Sequence, residues 1–437
     1  SFCCFFFLMI PLPPSSTLFP SPTLFRSVAA LWGVDDVPSQ PGKSAVEMFD
    51  GLRSGEIKAV WIACTNPAQS MPDQALIHEA LARAEFVIVQ EAFGHTETCA
   101  YADLLLPATT WGEKEGTVTN SERAISRVRA AVSAPGEARH DWAIVVDFAR
   151  RLGTRMGKAD LAARMFPYTT PESIWNEHRE STRGRDLDIT GLSYHLLEQA
   201  GPQQWPFPEG ASQGSVRLYE DGRFPTPSGK ARFVVTEHRI TAESPDARYP
   251  LHLNTGRLRD QWHGMSRTGL VARLYSHEPE PMLHMHKDDM ARRGLVSGDL
   301  IQVKSKRGGV VLKVLESTTL RPGQTFVPMH WGGNTMGGQG VNVLLPAAFD
   351  PYSKQPELKH AAVQVEKYQA GKTLVAMRRS EPDAAGGLHP NPLEVMDRLR
   401  RWLPHFPYAS LTLAGRNTPI IDRKSTRLNS SHRIRYR

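Results

Sequence analysis

The sequence predicts a parallel α/β domain followed by an all-β barrel. Between residues 28 and 153, short apolar runs alternate with segments of helical periodicity, which is the pattern of strands joined by helices. Between residues 246 and 368, the apolar runs are β-branched or alternating and are separated by glycine turns. A closed barrel is the simplest arrangement of such strands because it leaves no exposed sheet edge.

Composition and charge exclude several classes of protein. The chain has 437 residues, of which 40% are hydrophobic and 22% charged, enough for two or three globular domains. The net charge is +7, but Arg26 and the six basic residues of 423–437 account for all of it, so residues 28–422 are formally neutral. This removes the main electrostatic argument for a nucleic-acid partner. The apolar run at 2–10 is too short to cross a membrane, so no membrane partner is predicted.

Both ends of the sequence differ from the rest. Residues 1–27 and 423–437 resemble adapter-type sequence, and we expect neither segment to be native protein. Setting them aside leaves two cysteines, Cys64 and Cys99, without a C-x-x-C pair. We therefore predict neither a disulfide framework nor a local zinc or iron–sulphur site, and this cysteine usage fits a reducing compartment such as the cytoplasm.

Each element of the first domain has a local signal. Apolar runs predict strands at 59–63, 86–89 and 104–106, and a turn follows the first of them at 65–67. Apolar residues spaced three and four apart predict helices at 73–84, capped by Asp73, and at 140–152, ended by Gly153.

The predictions for residues 154–422 combine an irregular segment, the barrel strands and a tail. Residues 154–245 are interpreted as an irregular connector with short strands at 215–219 and 231–235. The barrel strands are predicted at 251–253, 300–304, 310–314 and 325–327, with a helix at 287–293 that ends at Gly294. A tail at 369–422 follows, helical near 392–403.

Polar residues at the strand ends of the first domain are candidates for ligand binding. Asn66, Gln90 and Glu91 follow predicted strands, and open α/β sheets bind ligands at the carboxyl ends of their strands. Lys114 lies in a charged loop and suits a phosphate or a base carbonyl, although a solvated loop explains it equally simply. Asp141 begins a helix and is equally consistent with a helix cap.

One segment of the predicted barrel combines several ligand-binding residue types. Thr255, Gly256 and Arg257 follow a strand, where glycine permits close approach and arginine binds phosphate. The stretch Gln261, Trp262, His263 and Gly264 adds an aromatic plane and further donors. A solvated turn is the alternative interpretation.

The sequence gives no support for a metal site or for nicotinamide-dependent, kinase or hydrolase functions. His284 and His286 share a face of an extended segment, and His277 lies upstream, but no suitably spaced further ligand predicts a metal site. The sequence has no G-x-G-x-x-G, P-loop, G-x-S-x-G or H-E-x-x-H motif, so nicotinamide-dependent, kinase and hydrolase functions have no residues to rest on.

Five segments together resemble the carboxyl-terminal half of the molybdopterin oxidoreductase (dimethyl sulfoxide reductase) family, and within it the assimilatory nitrate reductase catalytic subunits. They are WIACTNPAQSMPD from Trp61, YADLLLPATTWGEKEGTVTNSERAISRVR from Tyr101, PGEARHDW from Pro135, NTGRLRDQWHGMSRTG from Asn254 and VNVLLPAAFDPYSKQPELKHAAVQVE from Val341. The resemblance covers essentially residues 28–422.

The resemblance implies a Rossmann-like dinucleotide domain at 28–153 and a double-psi β-barrel at 246–368, which together hold bis(molybdopterin guanine dinucleotide) with molybdenum. The contacts implied from the first domain are Asn66, Gln90, Glu91, Lys114 and Asp141. Those implied from the barrel are Thr255, Gly256, Arg257, Gln261, Trp262, His263, Gly264, Asn342 and Lys359, the last two of which have no claim from spacing alone. A substrate-facing residue is expected near 329–331, but no catalytic residue is assigned.

The resemblance also implies a longer parent enzyme. In this family the 4Fe-4S cysteines and the molybdenum ligand lie in the amino-terminal half, so we expect this chain alone to be inactive. The parent is expected to reduce nitrate to nitrite in the cytoplasm with electrons from a donor protein or reductase subunit. The alternatives are a formate dehydrogenase or other member of the family, and a non-catalytic nucleotide-binding module.

Overall fold

The computed structural model describes residues 28–35, 37–38, 42–235, 237–351, 353–371, 381–382, 388–389 and 391–413. The two segments predicted to be foreign, 1–27 and 423–437, lie outside the described residues.

A three-stranded parallel sheet forms the centre of the first domain. Its strands are β1 (Ala59–Ala63), β2 (Phe86–Glu91) and β3 (Leu104–Pro107), in the order β1-β2-β3. The helices are α1 (28–32), α2 (Ala45–Ser54), α3 (Pro67–Ser70) and α4 (Gln74–Arg83), with a 3-10 helix at Glu97–Tyr101. The side chain of Asp73 caps α4 as predicted, by accepting a hydrogen bond from the Leu76 amide. All three strands end at the same edge of the sheet.

Helix α5 (Asp141–Arg155) runs past its predicted end. A Cβ atom at Gly153 would lie 2.3 Å from the Cβ of Ala162, so this glycine permits close packing of α5 against α6 (Ala159–Met165) and does not end the helix. The prediction of an end at Gly153 is therefore wrong.

The segment predicted as an irregular connector is helical in its first half. It contains α6, α7 (Pro171–Ser181) and α8 (Tyr194–Ala200), of which α7 and α8 pack near a small antiparallel sheet. The strands of that sheet are β4 (Gly116–Thr119), β5 (Ala124–Val128) and β6 (Gln203–Gln204). The strands predicted at 215–219 and 231–235 are not formed. Phe233 and Val235 are 92% and 93% exposed, so the second of these segments has no packing partner that would stabilise a strand.

Six strands close into a barrel; the sequence predicts the barrel and four of these strands, but not those at Met282–His286 and Ala361–Lys367. The six strands are β7 (Leu251–Gly256), β8 (Met282–His286), β9 (Leu300–Lys304), β10 (Gly309–Ser317), β11 (Gln324–Pro328) and β12 (Ala361–Lys367). Their order around the barrel is β10-β8-β11-β7-β12-β9, with parallel pairs β7–β11 and β8–β10. Fully buried residues such as Leu253, Leu283 and Leu312 form the core. Helix α9 (Lys287–Ala291) follows β8.

The last described segment packs on a glycine-rich loop of the barrel domain, residues 332–340. It contains α10 (Pro392–Arg400) and a 3-10 helix at Leu403–His405, after two-residue strands at Glu381–Pro382 and Leu388–His389. The Gly337 amide donates to Ala409 O at 3.0 Å, and the Leu411 amide donates to Thr335 O at 2.9 Å. Among the described residues, none of the helices has the length and hydropathy needed to cross a membrane.

Candidate functional site

Four polar residues meet at the carboxyl edge of the parallel sheet. Lys114 Nζ lies 2.8 Å from Asp141 Oδ2, and Gln90 Nε2 donates to Asp141 Oδ1 at 2.9 Å. Cys64, which follows β1 with a positive φ of 58°, donates from Sγ to the same Oδ1 at 3.4 Å. We call Cys64, Gln90, Lys114 and Asp141 the first-domain cluster. The sequence predicts three of these residues, and the structure brings them together from a strand end, a loop and a helix start.

The charges in this cluster determine the ionisation of Asp141. Burial alone would raise the pKa of its carboxyl group, but hydrogen bonds from Lys114 and Gln90 and the charge of Lys114 outweigh burial and hold the pKa below its usual value. Although Cys64 is partly accessible at the surface, desolvation by the surrounding atoms and the carboxylate of Asp141 together raise the pKa of its thiol to about 12. The cluster thus holds an ionised carboxylate beside a neutral thiol.

Replacing Lys114 by methionine is expected to raise the pKa of Asp141. Because the folded-state pKa lies below 3.8, the ionised group stabilises the folded chain above that pH, and the stabilisation is lost as the pH falls through the folded-state pKa. The Lys114→Met variant should begin to lose this stabilisation at a higher pH than the unchanged chain. NMR titration of the Asp141 carboxyl carbon would detect the higher pKa. Lys58→Met, which breaks an exposed ion pair with Glu85, should leave the Asp141 titration unchanged.

A second group of residues lies on the barrel. The guanidinium groups of Arg257 and Arg267 lie 4.8 Å and 5.6 Å from the ring centroid of Trp262, which is 42% exposed. Burial lowers the pKa of His263, and the charges of Arg257, Arg267 and Lys359 lower it further. We call these five residues, Arg257, Trp262, His263, Arg267 and Lys359, the barrel cluster. Three cations and an exposed aromatic plane make it suited to an anion attached to a planar group.

Charges from both clusters act on Glu91. Its carboxylate accepts hydrogen bonds from the Ala92 and Phe93 amides, at 2.8 Å and 3.3 Å. Burial raises the pKa of Glu91; the charge of Asp141 raises it further, and the charge of Arg267 opposes the increase. One residue of each cluster, Asp141 and Arg267, therefore affects the ionisation of Glu91.

The barrel loop that carries Trp262 comes very close to the first domain at Gly264. A Cβ atom there would lie 2.9 Å from Gln69 Oε1 and 3.5 Å from Asn66 Nδ2. Glycine is needed at this position because any side chain would collide with the first domain. Asn66 is therefore close to the barrel loop, although it is not part of the first-domain cluster.

Four predicted site residues form hydrogen bonds with other parts of the chain. Asn66 accepts hydrogen bonds from the amide and hydroxyl of Thr98, at 3.0 Å and 2.7 Å. Thr255 donates to Leu358 O, and Gln261 donates to Leu274 O at 3.1 Å. Asn342 donates across the domain boundary to the carbonyl oxygens of Gln69 and Ser70, at 3.2 Å and 2.9 Å. Gly256 ends β7, between Thr255 and Arg257.

Three buried oxygen atoms in this region have no hydrogen-bond partner. They are Gln90 Oε1, Gln261 Oε1 and Asn342 Oδ1. Buried polar atoms are normally paired, because an unpaired acceptor costs about 1–3 kcal/mol. The acceptor on Gln90 is notable because the same amide belongs to the first-domain cluster, where a ligand with N–H groups would satisfy it.

His330, in the segment where a substrate-facing residue was expected, is fully buried. Its Nε2 accepts from the Leu258 amide at 2.8 Å, so the proton lies on Nδ1, which donates to His263 O at 2.7 Å. Burial lowers the pKa of this ring and favours the neutral form. His330 therefore supports the barrel loop.

The sequence analysis missed Arg267 and Cys64 as members of these clusters. Arg267 lies in the NTGRLRDQWHGMSRTG segment, three residues after Gly264, and that position was its only signal. Cys64 gave no signal beyond its place directly after β1. Within the described ranges, no three histidine, cysteine or acidic residues are grouped as a metal site would require. His284 is paired with Glu278 at 3.2 Å.

Carboxylates and amides at the sheet edge, together with cations on the barrel, are residue types that can bind a nucleotide diphosphate. Comparison with known proteins identifies the family. Residues 19–151 match the molybdopterin oxidoreductase family, and residues 251–362 match the molybdopterin dinucleotide binding domain. The chain belongs to the molybdopterin oxidoreductase family. The first match begins inside the segment 1–27, which the structure does not describe.

Two curated relatives and one solved structure are similar to the chain. A nitrate reductase of Klebsiella oxytoca is 42% identical, over 79% of this chain and 39% of the relative. The assimilatory nitrate reductase catalytic subunit of Bacillus subtilis is 36% identical, over 77% of this chain and 46% of the relative. The chain thus spans less than half the length of these relatives. Acetylene hydratase from Pelobacter acetylenicus has the same fold, with a TM-score of 0.57, 18% identity and coverage of 79% of this chain and 50% of that one.

Proposed function

We propose that the first-domain cluster and the barrel cluster together bind one guanine dinucleotide of bis(molybdopterin guanine dinucleotide), in a chain that forms the carboxyl-terminal part of a nitrate reductase. The observation that carries this proposal is the close approach of the barrel loop with Trp262 and His263 to the first domain, where a Cβ atom at Gly264 would lie 2.9 Å from Gln69 Oε1. The cofactor class agrees with the two family matches.

The first-domain cluster suits the guanine base. Guanine presents N–H groups on one edge, which the carboxylates of Asp141 and Glu91 can accept, and a carbonyl to which Lys114 can donate. The unpaired Oε1 of Gln90 offers a further acceptor. The donor and acceptor set therefore fits this base better than adenine, which has no ring carbonyl.

The barrel cluster suits the phosphates. Arg257, Arg267 and Lys359 provide three positive charges, and a guanidinium group can donate two parallel hydrogen bonds to a phosphate. Trp262 provides an exposed aromatic face beside them, and His263 provides a ring whose charge state responds to an added anion.

The remaining predicted residues act by positioning in this proposal. Asn66, Thr255, Gln261 and Asn342 hold loops in place through hydrogen bonds to other parts of the chain. Gly256 and Gly264 allow the backbone to follow its path between β7 and the first domain. We further propose that the sheet is part of a Rossmann-like domain and that the barrel is of the double-psi type, an assignment supported by its two parallel strand pairs.

The proposed parent enzyme reduces nitrate to nitrite in the cytoplasm. The molybdenum cofactor supplies the two-electron redox chemistry when bound, and the residues above bind and orient it. The parent is proposed to receive electrons from a donor protein or reductase subunit and to hold a 4Fe-4S cluster, for which the described residues provide no group of ligands. Nitrate is preferred to formate as the substrate of the parent because the relatives that are 42% and 36% identical are nitrate reductases, whereas formate dehydrogenase stays the alternative, with a subunit 35% identical over 77% of this chain.

The chain alone is expected not to reduce nitrate. It spans less than half the length of its relatives, and no residue group for a metal is present in the part of the chain that the structure describes. An assay with reduced viologen and the purified chain should show no nitrite formation. Steady nitrite formation would contradict the expectation that the chain needs the rest of the parent enzyme to reduce nitrate.

The binding proposal is tested with GDP as the probe. Calorimetry should show that the chain binds GDP at least about tenfold more tightly than ADP, the ratio that a charge-assisted hydrogen bond to the base provides. Asp141→Asn should abolish this preference. Asp147→Asn, which removes a carboxylate on the same helix that is paired with Arg139 and Arg151, should retain it. Equal affinity of the unchanged protein for the two nucleotides would refute the base assignment.

A further inference from the structure

The side chain of Gln69, in α3, is inserted between two loops of the barrel domain. It is only 5% exposed, and its Nε2 donates to the carbonyl oxygens of Met329 and His330, at 3.2 Å and 3.4 Å. Both neighbouring loops have glycine where they pass it. A Cβ atom at Gly332 would lie 2.4 Å from Gln69 Cγ, and one at Gly264 would lie 2.9 Å from Gln69 Oε1. The barrel loops therefore form a slot that this side chain fills.

A continuous chain of hydrogen bonds leads from Gln69 to the barrel cluster. Gln69 fixes the backbone of His330, and the imidazole of His330 holds the barrel loop at both ends, through the Leu258 amide and the His263 carbonyl. Arg257 directly precedes this stretch, and Trp262 lies within it. A shift of the Met329–His330 backbone would therefore move the loop that carries the cations and the aromatic plane.

The position of Gln69 itself is fixed from the other side. Asn342 donates to the backbone carbonyl oxygens of Gln69 and Ser70. The Asp73 amide donates to Leu345 O at 3.1 Å, close to the same boundary. The backbone of α3 is thus held by the 3-10 helix at Val341–Leu344 and its end, while the Gln69 side chain holds 329–330.

We propose that Gln69 is a positioning residue, which fixes the barrel loop 257–264 relative to the first-domain cluster through His330. The functional consequence rests on the proposed nucleotide site, because the loop carries half of that site. Gln69 belongs to neither the first-domain cluster nor the barrel cluster, so it acts through the loop. In this role the amide group of Gln69, and not merely the volume of its side chain, holds the loop.

Gln69→Met tests this claim because methionine has nearly the same length but cannot donate a hydrogen bond. Backbone hydrogen exchange of the peptide 257–265, measured by mass spectrometry on the nucleotide-free chain, should become up to about tenfold faster, the ratio that the loss of one net hydrogen bond produces. The Kd for GDP should rise by a similar factor. Gln69→Leu provides a second variant without the donor.

Asn334→Ala is the matched control. Asn334 also donates across the domain boundary, from Nδ2 to His95 O at 2.7 Å, but it has no bond to His330. This variant should leave exchange at 257–265 and the Kd for GDP unchanged. The proposal is overturned if Gln69→Met leaves the loop exchange unchanged, or if Asn334→Ala accelerates it equally. Faster exchange in Gln69→Met combined with no GDP binding by the unchanged chain would refute the nucleotide site while retaining the positioning role.

Discussion

Replacing Gly332 by valine is expected to weaken GDP binding about 100-fold, because overpacking of this kind costs up to about 3 kcal/mol. A Cβ atom at this position would lie 2.4 Å from Gln69 Cγ and 2.5 Å from Glu97 Oε1. Glu97 holds Asn66 and the Asn334 amide, so neither neighbour can move without loss of interdomain hydrogen bonds. Relief of the collision must separate the barrel from the first domain. Calorimetric titration with GDP measures the effect.

Gly94→Val is the control for this substitution. Gly94 lies on the first-domain side of the same boundary, and a Cβ atom there would meet no other atom within 4 Å. GDP affinity should be nearly unchanged in this variant. If Gly332→Val also binds GDP with unchanged affinity, then close contact between the two domains is not required for the site.

Replacing Trp331 by alanine is expected to lower the free energy of unfolding of the chain by about 3–5 kcal/mol, the range found when a buried tryptophan or phenylalanine is truncated. Trp331 is fully buried and belongs to the same core as Leu253, Leu283 and Leu312. Its Nε1 has no hydrogen-bond partner, so its contribution comes from packing. Urea denaturation followed by circular dichroism measures the change.

Trp402→Ala is the matched substitution at an exposed site. Trp402 is 50% exposed and lies at the start of the 3-10 helix after α10. Its truncation should cost less than about 1 kcal/mol, since little apolar area leaves a buried environment. Comparable losses for the two variants would mean that the barrel core does not dominate the stability of this part of the chain.

The sequence predicts two of the strands with their observed bounds. Strand β1 is an uninterrupted apolar run, and β9 alternates buried with half-buried side chains; both are patterns that predict a strand. Closure of the barrel was also predictable from the number of short strands and from the glycine turns between them.

Errors arose where tertiary contacts decide the local structure. Gly153 resembles a helix end but faces Ala162 inside a helical pair. The segment 231–235 has residues of high β-propensity, but no neighbouring strand pairs with it, and propensity alone does not form a strand. The helices α7 and α8 did have start signals, Thr170 before Pro171 and Ser193, which the interpretation as a connector overlooked.

The candidate site was predictable only in part, for a geometric reason. Residues at the ends of parallel strands share one edge of the sheet, so Gln90 and Glu91 were accessible to sequence reasoning. The ion pair of Lys114 with Asp141 joins positions 27 residues apart, and no spacing rule predicts it. An amide such as Asn342 has the same sequence signature whether it binds a ligand or another domain, so only the structure reveals its interdomain bonds.

The central claim is that two domains of this chain share one nucleotide. Hydrogen exchange of the unchanged chain, compared with and without saturating GDP, tests it most directly. Exchange should slow in two segments at once, at 109–116 around Lys114 in the first domain and at 257–267 in the barrel. Protection confined to one of these domains, or absent from both, would contradict the claim.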